Sequence, residues 1–165
     1  MGRGTGRSAQ LSAWRTVRDD LSHPDVVALI EQHLRAAFEN SPPGSVFALD
    51  LSGLRAADVT LWTVWEGDAL LGMGALKQLD AGEGELKSMR TAPGQLRRGV
   101  ARAMLDHLIA ESRARGYRGL SLETGSNAPF VAARALYSGA GFVECGPFAD
   151  YTDTAFSQYY RLDLT

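Results

Sequence analysis

The sequence predicts an α/β fold built on one mixed sheet, and three stretches carry that prediction. Val59 to Trp65 and Ala69 to Gln78 flank the turn Gly67-Asp68 as an antiparallel hairpin. Thr91 to Gly116 runs from a strand end through a Pro/Gly turn into an amphipathic helix, and the chain beyond it alternates strand and helix. With 165 residues, 45% of them hydrophobic, one domain with its own core is expected over residues 11–165. Residues 1–10 are rich in Gly and Arg and have no apolar h-region, so they read as a flexible leader instead of a signal peptide. Gly6 stands where a myristoylation signal needs Ser or Thr.

Taken in order, Trp14 to Arg18 reads as a short strand. Pro24 suits the first turn of a helix whose apolar positions Val26, Val27, Leu29, Ile30, Leu34 and Phe38 follow a helical period to about Asn40. Ser41-Pro42-Pro43-Gly44 breaks the chain, a short strand is expected at Val46 to Leu49, and a polar turn continues to Asp58. After the hairpin, Leu79 to Gly84 turns into a strand at Glu85 to Thr91. The central helix follows from Val100, with Arg113, Arg115 and Gly116 as its basic end and stop. Tyr117 to Thr124 is a strand, Ser126-Asn127 a cap, Pro129 a first-turn residue and Ala132 to Ala140 a helix. Phe142 to Cys145 and Phe156 to Leu164 close the sheet. The crossover from Glu85–Thr91 to Tyr117–Thr124 should be right-handed, which makes those two strands the parallel pair.

Composition narrows the function classes. A net charge of -2 and a pI near 5.9 argue against a broad nucleic-acid surface, and no apolar run is long enough to span a membrane. Cys145 is the sole cysteine, which excludes an internal disulfide and fits a reducing cytoplasm; beside Phe142 and Val143 it reads as a buried apolar residue and not a nucleophile. His23, His33 and His107 form no spaced metal or triad set, so no metal is expected. Trp62 and Trp65 read as core.

The loop before the central helix is the most informative stretch. The first turn of a helix offers unpaired N–H groups and a partial positive charge. Gly99 permits close approach, Ala101 keeps the next turn small, and Arg97 and Arg98 add charge, so the loop suits a phosphate or pyrophosphate. Gly94 and Gly99 have Walker A spacing, but Val100 and Ala101 stand where Lys and Ser/Thr are required. Gly72 and Gly74 lie within a strand with no helix following, so they are no dinucleotide fingerprint.

Two motifs resemble the GNAT superfamily of acetyl-coenzyme A-dependent N-acetyltransferases. Leu96-Arg97-Arg98-Gly99-Val100-Ala101 is similar to the family loop Gln/Arg-x-x-Gly-x-Gly/Ala, departing at Leu96. Ala133 to Phe142 is similar to A-x-x-L-Y-x-x-x-G-F, with Phe130 where the family carries Asn. Glu85 to Thr91, Leu122-Glu123-Thr124-Gly125 and Cys145-Gly146-Pro147-Phe148 resemble a bacterial subgroup of small, uncharacterised acetyltransferases. The resemblance implies a twisted, mostly antiparallel sheet of about six to seven strands with a parallel pair at the cofactor cleft and about four helices.

It also implies acetyl-CoA as cofactor and an acetyl group passed by direct attack to the amine of a small molecule or peptide. The acceptor groove would be built from the first helix, the loop from Leu49 to Asp58 and the C-terminal hairpin. Such a reaction must remove a proton from an ammonium of pKa roughly 8 to 10, stabilise an oxyanion and return a proton to a thiolate. By resemblance, the backbone of Met89 and Thr91 would hold the pantetheine arm, with the Met89 N–H on the thioester oxygen. The N–H groups of residues 96–101, with Arg97, Arg98 and Arg102, would hold the pyrophosphate through Leu96, Gly99, Val100 and Ala101. Tyr137 would protonate the leaving thiolate. Glu85, at the start of the same strand, is favoured as base, with Glu123 on the neighbouring strand as the other candidate. Leu96 and Phe130, standing where the family has polar residues, keep open a coenzyme A-binding sensor or interaction module without turnover, and the Gly94/Gly99 spacing a plain nucleotide-phosphate binder. Oligomeric state is open, a homodimer being one outcome.

Overall fold

The computed structural model describes residues 14–165, so the leader expected at 1–10 lies outside the described residues. The chain runs β1 (Trp14–Arg18), α1 (Pro24–Asn40), a short α2 (Leu51–Leu54), β2 (Val59–Glu66), β3 (Ala69–Gln78) and β4 (Glu83–Thr91). It continues with α3 (Val100–Ala114), β5 (Gly119–Gly125), a 3₁₀ turn (Ala128–Phe130), α4 (Val131–Gly139), β6 (Val143–Cys145) and β7 (Ser157–Asp163). The seven strands form one sheet in the order β1-β2-β3-β4-β5-β7-β6, antiparallel throughout except for β4 and β5. This is the mixed fold expected, with its single parallel pair where the crossover placed it.

Two corrections concern local structure. Val46 to Leu49 is not a strand. The neighbours of β4 are already β3 and β5, so that segment has no ladder to join; Phe47 lies against Tyr151 and Leu49 packs on the core. Within the turn expected before Asp58, the Asp50 carboxylate caps a helical turn by accepting from the Gly53 N–H at 2.8 Å.

Alternation along β3 explains the two cores. Gly72 and Gly74 face α3, where Met104, Leu105 and Leu108 pack over Leu76, Leu86 and Leu120. Met73 and Ala75 point the other way, beneath Val26, Leu29 and Ile30 of α1. Trp62 and Trp65 are both buried, one in each core, as expected. The strand glycines serve helix packing: a Cβ at Gly72 would stand 2.8 Å from Val100 Cγ1 and 2.9 Å from the Arg90 carbonyl oxygen. Because one of these contacts is backbone, Gly72→Ala should cost about 1–3 kcal/mol by overpacking. Urea unfolding checks this, and an unchanged midpoint would contradict it. No helix among the described residues is long and apolar enough to cross a membrane.

Candidate active site

The site lies where the parallel pair stops being a pair. Strands β4 and β5 are in register only at Glu83/Gly119, Gly84/Leu120 and Glu85/Ser121. Beyond Glu85 they part. On its other side β4 carries a bulge, in which Ala75 pairs with Lys87 and Met73 with Arg90, so Ser88 and Met89 have no partner residue on either neighbouring strand. Ser88 absorbs the extra residue with a left-handed φ of 54°. The backbone at Met89 is therefore turned out of the ladder at the mouth of the splay.

Next to it lies the loop into α3, whose backbone leaves a set of N–H groups without partners. Gly94, Arg97 and Gly99 have φ of 79°, 63° and 85°, and left-handed residues interspersed with right-handed ones turn N–H groups to one side. No N–H of residues 96–102 meets an acceptor among the described residues; the flanking bonds are Gln95 N–H to the Ala92 carbonyl and Ala103 N–H to the Gly99 carbonyl, both 3.0 Å. A Cβ at Gly94 or Gly99 would meet nothing within 4 Å, so the space over the loop is open. Unpaired amides, a helix N-terminus and open space together fit a diphosphate.

A cleft of about 820 Å³ joins this loop to the splay. It gathers Met89 and Thr91 of β4, Leu96, Arg97 and Gly99 of the loop, Val100, Ala101 and Arg102 of α3, and Tyr137 of α4. Arg98 is the exception. Its guanidinium bonds both Glu66 carboxylate oxygens at 3.0 and 3.1 Å and lies over the Trp14 ring, so only its backbone belongs to the loop's inner side. Leu96 is 69% exposed at the lip. Arg90 also lines the cleft, a cation with no motif in the sequence to mark it.

A smaller pocket of about 140 Å³ continues from the cleft into the splay, sharing Met89, Ala133 and Tyr137 with it. Both candidate carboxylates line this pocket, on the α1 face of the sheet. Glu85 is 2% exposed, and its Oε2 accepts from the Tyr151 hydroxyl at 2.5 Å and lies 3.3 Å from Lys87 Nζ. Lys87 also donates to the Tyr151 hydroxyl at 2.8 Å and to the Phe47 carbonyl at 3.1 Å. Burial, and then the Glu85 carboxylate beside it, raise the Tyr151 phenol well above its usual value. Tyr151 is not singled out by the sequence because it sits in the irregular return between β6 and β7; the density of aromatic residues from Phe148 to Tyr160 is the available signal.

Glu123 is placed differently. Its contact is the Ser157 hydroxyl, which donates to Oε2 at 3.2 Å. Burial pushes its carboxyl up to about 7 against the opposing effects of Ser157 and Lys87, with Glu85 adding to the rise. Tyr137 is 7% exposed, its ring edge-on to Phe142, and burial pushes its phenol to about 12. Phe130 stacks edge-on with Phe156 as part of the pocket wall. Asn127 donates to the Asn40 carbonyl at 3.0 Å and so ties α1 to the β5–α4 loop. Cys145, expected in the core, is exposed, because β6 is a three-residue edge strand with no layer over it.

A second cleft of about 890 Å³ opens below the carboxylates, and Phe47, Glu85, Lys87 and Tyr151 form the partition between it and the small pocket.

Comparison with known proteins shows the family and the fold. The uncharacterized N-acetyltransferase YsnE of Bacillus subtilis (strain 168) is 53% identical over 146 residues, covering 88% of this chain and 97% of that protein. The uncharacterized N-acetyltransferase YedL of Escherichia coli (strain K12) is 51% identical, covering 88% and 92%. Among solved structures, a Klebsiella pneumoniae protein described as an acyl-CoA N-acyltransferase superposes with a TM-score of 0.76 at 27% identity, covering 92% of this chain and 98% of that one. The model of the acetyltransferase (GNAT) family matches residues 24–142. The chain therefore belongs to the acetyltransferase (GNAT) family, acyltransferases whose acyl donor is acetyl-coenzyme A.

Proposed function

We propose that this protein acetylates the amine of a small molecule or peptide by direct attack while donor and acceptor are bound together. The observation that carries the reading is that Glu123, titrating near neutrality, and Tyr137, protonated there, line one pocket beside Met89, which stands outside the register of both neighbouring strands. Acetyl-coenzyme A supplies an activated acyl carbon and a thiolate leaving group. The N–H groups of residues 96–102 would hold its diphosphate, with Arg90 and Arg97 adding charge along the cleft and Arg102 doing so beside its partner Asp106. Met89 N–H is the group that would receive the carbonyl oxygen, since a fixed amide stabilises developing charge with little reorganisation.

Glu123 takes the proton from the incoming ammonium, since a base works best with a pKa near the working pH. Glu85 is the weaker candidate because the Oε2 it presents is already taken by Tyr151 and Lys87. As the C–N bond formed and the C–S bond broke, the Tyr137 hydroxyl would give its proton to the departing sulfur, and the second proton shed by the nitrogen would restore the phenol. The aromatic walls Phe47, Phe130, Tyr151 and Phe156 limit water at the reacting centre.

Thiol release from acetyl-coenzyme A, followed over a panel of primary amines, tests this. Acceptor-dependent release with an N-acetylated product is expected. Tight coenzyme A binding with no release for any amine would overturn it.

A further inference from the structure

The acceptor pocket contains two buried polar atoms that the proposed chemistry does not use. Ser88 is 8% exposed, lines the pocket, and its Oγ is buried without a hydrogen-bond partner among the described residues. His33, from α1, lines the same pocket, and its Nδ1 is likewise buried and unpaired among them. Buried polar groups are nearly always hydrogen-bonded, so two orphans from separate elements facing one cavity point to a ligand group that pairs them. Ser88 also sits at the left-handed φ of the bulge, where a glycine would be at ease, and its side chain lines the pocket.

The charges say which kind of group belongs there. Burial, with Arg90 nearby, pulls His33 down to about 4, so its ring is neutral at working pH. Among the described residues the only ammonium lining the pocket, Lys87, is already shared among Phe47, Tyr151 and Glu85, and two carboxylates line the same walls. Arg90 opens on the donor cleft instead. An anionic group would find no free cation on these walls, and an alkyl group would leave both orphans unpaired.

Resting on the acceptor site described above, we propose that Ser88 and His33 form a subsite that reads a neutral group able both to donate and to accept hydrogen bonds, a carboxamide or hydroxyl, borne next to the amine of the acceptor. Free amino acids, with a carboxylate at that position, and plain alkylamines are then poor acceptors. A site built to hydrogen-bond such a group rejects analogues lacking it, because its own polar atoms are left unpaired.

The test uses the full chain loaded with coenzyme A and three small probes of nearly equal shape: glycinamide, isobutylamine and glycine. Calorimetry should show glycinamide bound at least about tenfold more tightly than either of the others. Ser88→Gly removes the hydroxyl and relieves the positive φ, so it folds at least as well, and it should bring the ratio close to one. His33→Leu should do the same, whereas His33→Asn, whose amide nitrogen replaces Nδ1, should keep the discrimination. Equal or tighter binding of isobutylamine or glycine, absence of glycinamide binding, or a ratio that survives both Ser88→Gly and His33→Leu would overturn the subsite. Turnover is scored separately: discrimination in binding without acetylation sinks the proposed reaction and leaves the subsite standing, and acetylation without discrimination does the reverse.

Discussion

Glu123→Gln is expected to lower kcat by about 10²–10⁴-fold with the KM for acetyl-coenzyme A unchanged, the loss typical of a missing general base. The pH profile distinguishes this role from mere packing. A base held near 7 is protonated and idle in acid, so wild-type kcat should climb with pH and level off above about 7. In Glu123→Gln that limb should vanish along with most of the rate. Stability should move the opposite way. A glutamate in the unfolded chain titrates at its ordinary value of 4.5, well below the folded value of about 7, so between those values the folded chain binds more protons and stability falls as pH rises. The ionised, buried carboxylate is then a destabilising group at pH 8 and not at pH 4. Glu123→Gln should accordingly raise Tm, and more at pH 8 than at pH 5. If Glu85→Gln removed the acid limb while Glu123→Gln left it, the base would be Glu85, acting through the oxygen that Tyr151 and Lys87 leave free.

Most of the scaffold is legible in the sequence because it is set by local period and punctuation. The helix from Pro24 to Asn40, the hairpin about Gly67-Asp68 and the helix after Gly99 each carry their own pattern and stop signal, and all three appear with nearly the expected bounds. The glycine loop before that helix is legible for the same reason, since Gly94, Gly99 and the helix start are contiguous. What the sequence conceals depends on the return of distant chain. Arg97 and Arg98 are neighbours of identical chemistry; only the left-handed backbone at Arg97 and the position of Glu66 on β2 decide that Arg98 turns away from the cleft. Lys87 and Glu85 share a face by simple alternation, yet their third partner, Tyr151, arrives from an irregular segment with no period to read. Val46 to Leu49 carries strand-like residues, but the sheet has no free edge beside it, and so Phe47 becomes a wall of the site. Ser88 is an ordinary strand residue in sequence; the bulge that makes it special exists only because β3 and β4 differ by one residue in register.

Tyr137→Phe is the second large expected effect, a fall in kcat of about 10²–10⁴-fold if the phenol is the proton donor. The substitution keeps the ring, its edge-on contact with Phe142 and its place in the α3-side core, so Tm should change little. That separates loss of a proton from loss of packing. Burial keeps this residue protonated. With its phenol near 12 it holds its proton at every pH at which Glu123 is ionised and the enzyme works, so acid and base are available together above about 7. The phenol's high value also predicts the direction of a compensating change. An acyl donor whose thiol is more acidic needs protonation less, so the ratio of wild-type to Tyr137→Phe rates should shrink with thioesters of lower leaving-group pKa. Equal rates for wild type and Tyr137→Phe with acetyl-coenzyme A, or a ratio indifferent to the leaving group, would assign the tyrosine to the core alone. In that case the sulfur would have to leave as the thiolate.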